Sequence, residues 1–266
     1  MSERTRLGVV GWPVGHSRSP QMQNAALRAV GLQLWRYQLL PVPPEQFDAT
    51  VRALPGSGFR GVNVTLPHKE AALALAGQPS PTAEAIGAAN TLVFEDDGTI
   101  QAENTDALAL LELLPGSGEA ATALVLGAGG SARAAVWALR EAGAEVGIWN
   151  RTADRAQALA RHFGVAAVDG AEPADLLVNC TRVGLAGEPG ELKQLPFRAD
   201  EIGMFGRVID FVYSATETEL MRAARNAGLP CVDGLDLLVG QGALSFQRFT
   251  GLAPPIEQMR AGARAG

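Results

Sequence analysis

The stretch Val125-Leu126-Gly127-Ala128-Gly129-Gly130-Ser131-Ala132 decides the fold. It fits G-x-G-x-x-A, with an apolar strand, Ala123–Leu126, before it and a helical segment, Ser131–Glu141, after it. That order makes a common pattern specific. Gly127 allows the tight turn, Gly129 lets backbone approach a pyrophosphate, and Ala132 lets helix and strand pack closely. The free N–H groups and positive dipole end of the helix suit phosphate. Gly127, Ala128, Gly129, Gly130 and Ser131 are therefore candidate cofactor-binding residues. The competing reading is a glycine-rich turn that binds nothing.

Downstream, strands and helices alternate: Glu145–Trp149 as strand, Thr152–His162 as helix, Leu176–Asn179 and Val208–Phe211 as strands. Thr216-Glu217-Thr218-Glu219 reads as a capping box before a further helix. Such alternation predicts an α/β fold, a parallel sheet with helices on both faces. A site for NAD places Asp or Glu at the end of the second strand, to accept from the ribose 2′-hydroxyl. Here the chain has Asn150-Arg151-Thr152, with Arg155 one turn on. Arginine is disfavoured at a helix start unless an anion is bound nearby. Asn150, Arg151, Thr152 and Arg155 thus point to the 2′-phosphate of NADP, the bland alternative being a solvated helix start.

The N-terminal half has a different pattern. Leu7–Val10 reads as a buried strand, and Ser19-Pro20 as an N-cap followed by proline at the first helical position. Trp35–Leu40 reads as a strand and Glu45–Leu54 as a helix. Val62, Val64 and Leu66 alternate with Asn63 and Thr65, a strand period. A helix is expected over Pro67–Ala76, and a hairpin pairs Leu92–Phe94 with Ile100–Ala102 across Asp97-Gly98. Polar side chains gather at the element ends: Ser17 and Ser19, Thr65 and Lys69, Asn90, then Asn104-Thr105-Asp106. Ligands of open α/β sheets bind beyond the carboxyl ends of strands. Each residue also has a plain structural reading, Ser19 and Asp106 as N-caps and Lys69 as a solvated cation.

Composition narrows the classes. The 266 residues suffice for one large domain or two modest ones. A hydrophobic fraction of 47% against 19% charged excludes a disordered chain. Aromatics at 6% and a net charge of −6 argue against nucleic acid as a partner. Cys180 and Cys231 form no CxxC, and His16, His68 and His162 are scattered, so no metal site is expected. Neither a signal peptide nor an apolar membrane span is visible, and a cytoplasmic protein is expected.

Taken together, the polar blocks resemble the shikimate dehydrogenase family. Gly11-Trp12-Pro13-Val14-Gly15-His16-Ser17-Arg18-Ser19-Pro20 is similar to its G-x-P-x-x-H-S-x-S-P opening, and Gly61-Val62-Asn63-Val64-Thr65-Leu66-Pro67-His68-Lys69 to its G-x-N-V-T-x-P-x-K block. Ile86 to Thr91, Asn104-Thr105-Asp106, Asn150-Arg151-Thr152, Asp210-Phe211-Val212-Tyr213 and Gly234 to Gln241 follow in the family's order. Gln23 stands where the family usually has His, Ala102 and Ala107 replace flanking glycines, Arg182 a Ser or Pro, and Leu237-Leu238 a Met-Leu pair.

The resemblance implies NADPH-dependent, reversible reduction of 3-dehydroshikimate to shikimate by a monomer or homodimer. It implies Lys69 and Asp106 as the catalytic pair, and Ser17 and Ser19 on the substrate carboxylate. Thr65, Asn90, Asp106, Tyr213 and Gln241 would meet the ring and its hydroxyls, with Phe211 and Gly234 lining the cofactor. Residues 1–104 and 235–266 would form an α/β substrate domain and residues 105–234 a Rossmann-type, doubly wound NADP domain. The C-terminal helix is assigned to the first domain because Gln241 belongs with the substrate residues. Two rivals stand beside this reading: a quinate/shikimate dehydrogenase using NAD, and a non-catalytic nucleotide-sensing module. Asn150 speaks against the first, and intact Lys69, Asp106 and Gln241 against the second.

Overall fold

The computed structural model describes residues 5–114, 121–214 and 216–265. The chain divides into two compact units, Met1–Ala109 with Leu238–Gly266, and Leu110–Leu237. The division falls inside two helices, because neither is interrupted where the chain passes from one unit to the other.

The first unit contains β1 (Arg6–Gly11), α1 (Ser19–Ala29), β2 (Arg36–Pro41), α2 (Phe47–Ala53), β3 (Phe59–Val64), α3 (Lys69–Leu75), β4 (Gln78–Pro79), α4 (Pro81–Ile86), β5 (Thr91–Phe94) and β6 (Ile100–Glu103). Its sheet runs β2-β1-β3-β5-β6-β4. β1 lies parallel to both β2 and β3, and its unbroken apolar run is buried, as a central parallel strand requires. β3 meets β5 antiparallel, and β5 and β6 form the expected hairpin. Gly98 turns it at φ +86°, while Asp97 Oδ1 accepts from the Thr99 amide at 2.8 Å. Phe47, Val51, Val62, Val64, Ala72 and Leu92 build the core beneath.

Several helix starts differ from expectation, α2 among them, which begins at Phe47 rather than Glu45 because Pro44–Gln46 form a 3-10 turn. Arg18, not Ser19, precedes α1, because the Ser17 hydroxyl accepts from the Ser19 amide at 3.3 Å and carries the turn. α3 begins at Lys69 rather than Pro67, since residues 65–68 close a turn with His68 N–H on the Thr65 carbonyl at 3.0 Å. In the second unit Thr218 alone caps its helix, accepting from the Met221 amide at 3.2 Å, so the expected box at Thr216 is not formed.

The second unit holds the end of α5 (Thr105–Leu113), β7 (Thr122–Leu126), α6 (Gly130–Glu141), β8 (Glu145–Trp149), α7 (Ala153–Phe163), β9 (Ala166–Ala167), β10 (Ala174–Asn179), β11 (Phe205–Asp210), α8 (Glu219–Asn226), β12 (Cys231–Val232) and the start of α9 (Gly234–Thr250). All its strands are parallel, in the order β12-β11-β10-β7-β8-β9. Numbered from β7, this is the 3-2-1-4-5-6 order of a doubly wound nucleotide-binding sheet.

The rest of α9 and α10 (Ile256–Arg264) complete the first unit. Gly262 lets α10 lie directly on α1: a Cβ there would meet the Gln21 carbonyl oxygen at 2.8 Å and Ala25 Cβ at 2.9 Å. Gly262→Val is therefore expected to destabilise the protein, since overpacking costs ~1–3 kcal/mol and the gain in helix propensity is below ~1 kcal/mol. Urea unfolding of the two proteins checks this, and an unchanged midpoint would refute the close packing.

Candidate active site

Lys69 opens α3, where its carbonyl accepts from the Ala89 amide at 2.9 Å. Its Nζ donates to Asp106 Oδ2 at 2.7 Å, with both side chains about nine-tenths buried. Asp106 lies in the first turn of α5, and two asparagines fix that turn. Asn104 Oδ1 accepts from the Ala107 amide at 3.1 Å, and its Nδ2 donates to the Ala88 carbonyl at 2.9 Å. Asn90 Oδ1 takes three donors: the Thr105 amide at 2.7 Å, the Thr105 hydroxyl at 3.1 Å and the Thr91 hydroxyl at 3.2 Å. Beneath them Asn63 is fully engaged, donating to Thr91 Oγ1 at 3.0 Å and accepting from the Tyr37 hydroxyl at 2.8 Å. Asn63 does not stand out in the sequence as a functional residue, because its place in an alternating strand carries no sign of this network.

Ser17, before α1, and Ser19, its first residue, are both buried, with their hydroxyls 3.2 Å apart. Thr65 follows β3, and Gln241 lies on α9, its Nε2 donating to the Leu238 carbonyl at 2.8 Å. Several polar atoms of these residues have no hydrogen-bond partner among the described residues: Thr65 Oγ1, Asn90 Nδ2, Asp106 Oδ1 and Gln241 Oε1. Ser17, Ser19, Thr65, Lys69, Asn90, Asp106 and Gln241 all belong to the first unit, and Tyr213 to the second. His68, next to Lys69, is a core residue. It stacks on Phe47 and holds the Val42 carbonyl at 2.7 Å, and burial lowers its pKa from the ordinary histidine value.

In the second unit Gly127 has φ +108°, and a Cβ there would press on the Cys180 carbonyl at 3.1 Å. A Cβ at Gly129 would meet nothing within 4 Å, so the backbone is open on that side. Gly129 caps α6 without a side chain, and the first turn carries no acid, an arrangement that suits an anion. Arg151, just before α7, and Arg155, in its first turn, are exposed, and their guanidinium groups form no hydrogen bond or ion pair among the described residues. Asn150 donates to the Thr152 carbonyl at 2.9 Å. Phe211 and Tyr213 follow β11, and Gly234 begins α9. A Cβ at Gly234 would meet the Val212 carbonyl carbon and oxygen at 2.6 Å, so only glycine lets the chain pass there. This open turn, acid-free helix start and unpaired guanidinium pair fit a dinucleotide carrying an extra phosphate.

The buried acid Asp210, at the end of β11, supports this face from below. Its Oδ1 accepts from Asn179 Nδ2 at 2.9 Å and the Val212 amide at 3.0 Å, and its Oδ2 from the Thr218 hydroxyl at 2.8 Å. Asn179 in turn accepts from Thr181 and so fixes the Cys180 segment under Gly127. Burial pushes the Asp210 carboxyl up to about 6 from 3.8, against the pull of these donors. Its contribution to stability is full below pH ~4, where folded and unfolded forms are both protonated, and is lost as pH rises through about 6. The loss amounts to about 3 kcal/mol. Urea unfolding at pH 4.5 and 7 is expected to show a fall that Asp210→Asn abolishes, and the same pH response in both proteins would refute it.

Among the described residues no helix is long and apolar enough to cross a membrane. A doubly wound parallel sheet with a G-x-G-x-x-A turn defines the class: a Rossmann-type dinucleotide-binding protein with an added α/β unit. Comparison with known proteins sharpens this. Residues 9–92 match the shikimate dehydrogenase substrate binding domain, 110–180 the shikimate / quinate 5-dehydrogenase family, and 234–263 the shikimate 5'-dehydrogenase C-terminal domain. The chain is 46% identical over 273 residues to the shikimate dehydrogenase (NADP(+)) of Anaeromyxobacter dehalogenans, covering 96% of this chain and 95% of that one. It is 45% identical to the protein of the same name from Thermus thermophilus, covering 97% of each. Its structure is similar to that of a Thermus thermophilus shikimate 5-dehydrogenase in complex with NADP(H) and shikimate, with TM-score 0.85, 43% identity and coverage of 98% and 99%. The Aquifex aeolicus shikimate dehydrogenase gives TM-score 0.88 at 34% identity, covering 99% and 100%. The chain belongs to the shikimate dehydrogenase family.

Proposed function

We propose that this chain catalyses the reversible reduction of 3-dehydroshikimate to shikimate with NADPH. The observation that carries the reading is the buried Lys69–Asp106 pair, 2.7 Å apart, in a chain 46% identical to an NADP-dependent shikimate dehydrogenase. The first unit is the substrate and catalytic domain, and the second the dinucleotide domain.

Bound nucleotide supplies the hydride and accepts it in the reverse direction. The alkoxide formed from the ketone needs a proton, and Lys69 Nζ is the donor. Before transfer the ammonium polarises the ketone oxygen, and its fixed charge stabilises the negative charge that develops there. Asp106 aims the ammonium through Oδ2 and keeps Oδ1 for a substrate hydroxyl. Asn90 serves two ends at once, its Oδ1 locking the first turn of α5 and its Nδ2 facing the substrate. Ser17 and Ser19 turn their hydroxyls to the carboxylate, while Thr65, Tyr213 and Gln241 orient the ring. Gly127 to Ser131 cradle the pyrophosphate, Asn150 to Arg155 the 2′-phosphate, and Phe211 and Gly234 line the nicotinamide side.

The test is a spectrophotometric assay of the purified protein with shikimate and quinate, each with NADP+ and NAD+. Rapid reduction of NADP+ by shikimate is expected. Faster turnover of quinate with NAD+ would replace this reading by a quinate dehydrogenase, and no turnover in any combination would refute catalysis.

A further inference from the structure

Gln23 is fully buried on α1, and its two amide atoms fare differently. Nε2 donates to the Gly242 carbonyl at 2.9 Å, reaching a residue 219 positions away in the sequence. Oε1 is buried without a partner among the described residues. The amide cannot be turned over, because Oε1 would then face the Gly242 oxygen. Gly242 adjoins Gln241 on α9, and its lack of a side chain brings α9 against α1: a Cβ there would meet Met22 Sδ at 3.2 Å and Gln23 Nε2 at 3.4 Å. The Gly242 carbonyl also accepts from the Ser245 hydroxyl at 3.1 Å, so it keeps a side-chain donor without Gln23. Ser19 lies four residues before Gln23, on the same face of α1.

A buried acceptor left unmet costs stability, and an apolar residue of the same shape removes that cost. Gln23 is thus poorly explained as a stabilising residue. Its directed donor instead ties the helix carrying Ser19 to the peptide next to Gln241. We infer that Gln23 is a positioning residue for substrate, acting through Gln241. The inference rests on the proposed activity and on Gln241 as a substrate residue.

Steady-state kinetics with shikimate and NADP+ test it on Gln23→Met, Gln23→His, Gln241→Ala and the double variant Gln23→Met with Gln241→Ala. Gln23→Met is expected to raise the KM for shikimate about tenfold, the worth of one well-aimed hydrogen bond. The KM for NADP+ stays within about twofold, and the Tm equals or exceeds that of the unaltered protein. Gln23→His, which keeps an N–H donor, recovers most of the loss. On the Gln241→Ala background Gln23→Met adds nothing, because residues acting as one unit are not additive.

An unchanged KM for shikimate in Gln23→Met, equal losses for substrate and cofactor, or fully multiplied effects in the double variant would each overturn the inference. A Gln23→Met protein that fails to fold overturns the premise about Oε1, and a Gln241→Ala protein with normal kinetics overturns the route through Gln241. Absence of shikimate oxidation by the unaltered protein overturns the underlying activity instead.

Discussion

Lys69→Ala is expected to lower kcat by ~10²–10⁴-fold while the KM for shikimate changes little. In the proposed mechanism the ammonium acts on charge that develops only as hydride arrives, so its loss is expected to be felt in the transition state rather than in binding. Asp106→Asn is expected to be comparably damaging. The amide removes the charge that holds Nζ in place, and its NH₂ group has no attraction for an ammonium. Breaking a buried ion pair also leaves the remaining charge uncompensated. Circular dichroism and the Tm must therefore accompany the kinetics, to separate lost chemistry from lost structure. A near-normal kcat with a raised KM would make Lys69 a binding residue only.

The double change Arg151→Ala with Arg155→Ala is expected to raise the KM for NADPH by about 100-fold and leave that for NADH nearly unchanged. In the proposed site each arginine is expected to contribute roughly tenfold, the worth of a charge-assisted hydrogen bond to a phosphate. Both guanidinium groups are exposed and unpaired among the described residues, so nothing in the second unit has to be given up to bind. Forked donors suit phosphate oxygens, and Asn150 avoids the repulsion that Asp or Glu would bring. Small and equal effects on both cofactors would reduce the pair to a solvated helix start.

Local chemistry is legible in the sequence where one segment decides it. The glycine turn, the strand Glu145–Trp149 and the Asp97-Gly98 hairpin depend on neighbours in the chain, and the structure has them in place. The two-residue strands β4, β9 and β12 and the helix α10 are not legible, since they are too short or too weakly patterned to stand apart from loops. Helix starts differ at Ser19, Pro67 and Thr216 because several residues there can cap, and tertiary contacts choose among them. The site divides in the same way. Lys69 and Asp106 are visible as polar residues at element ends, but the clamp on Asp106 is not. The use of one Asn90 oxygen for three donors, the saturation of Asn63 and the burial of Asp210 arise only when distant strands meet.

Sequence separation also sets the order in which the first unit can assemble. Lys69 and Asp106 are 37 residues apart, and Ala89, Asn90 and Asn104, which fix the two helix starts, lie between them. Gln23 and Gly242 are 219 apart, and Arg18 and Ala263 are 245 apart. Closing a loop about sixfold longer costs roughly 1.5 kcal/mol more in chain entropy, and such contacts form later. The ion pair and its clamps draw only on residues up to Ala107. The contacts that α9 and α10 make with α1 must await residues more than 200 positions further along the chain.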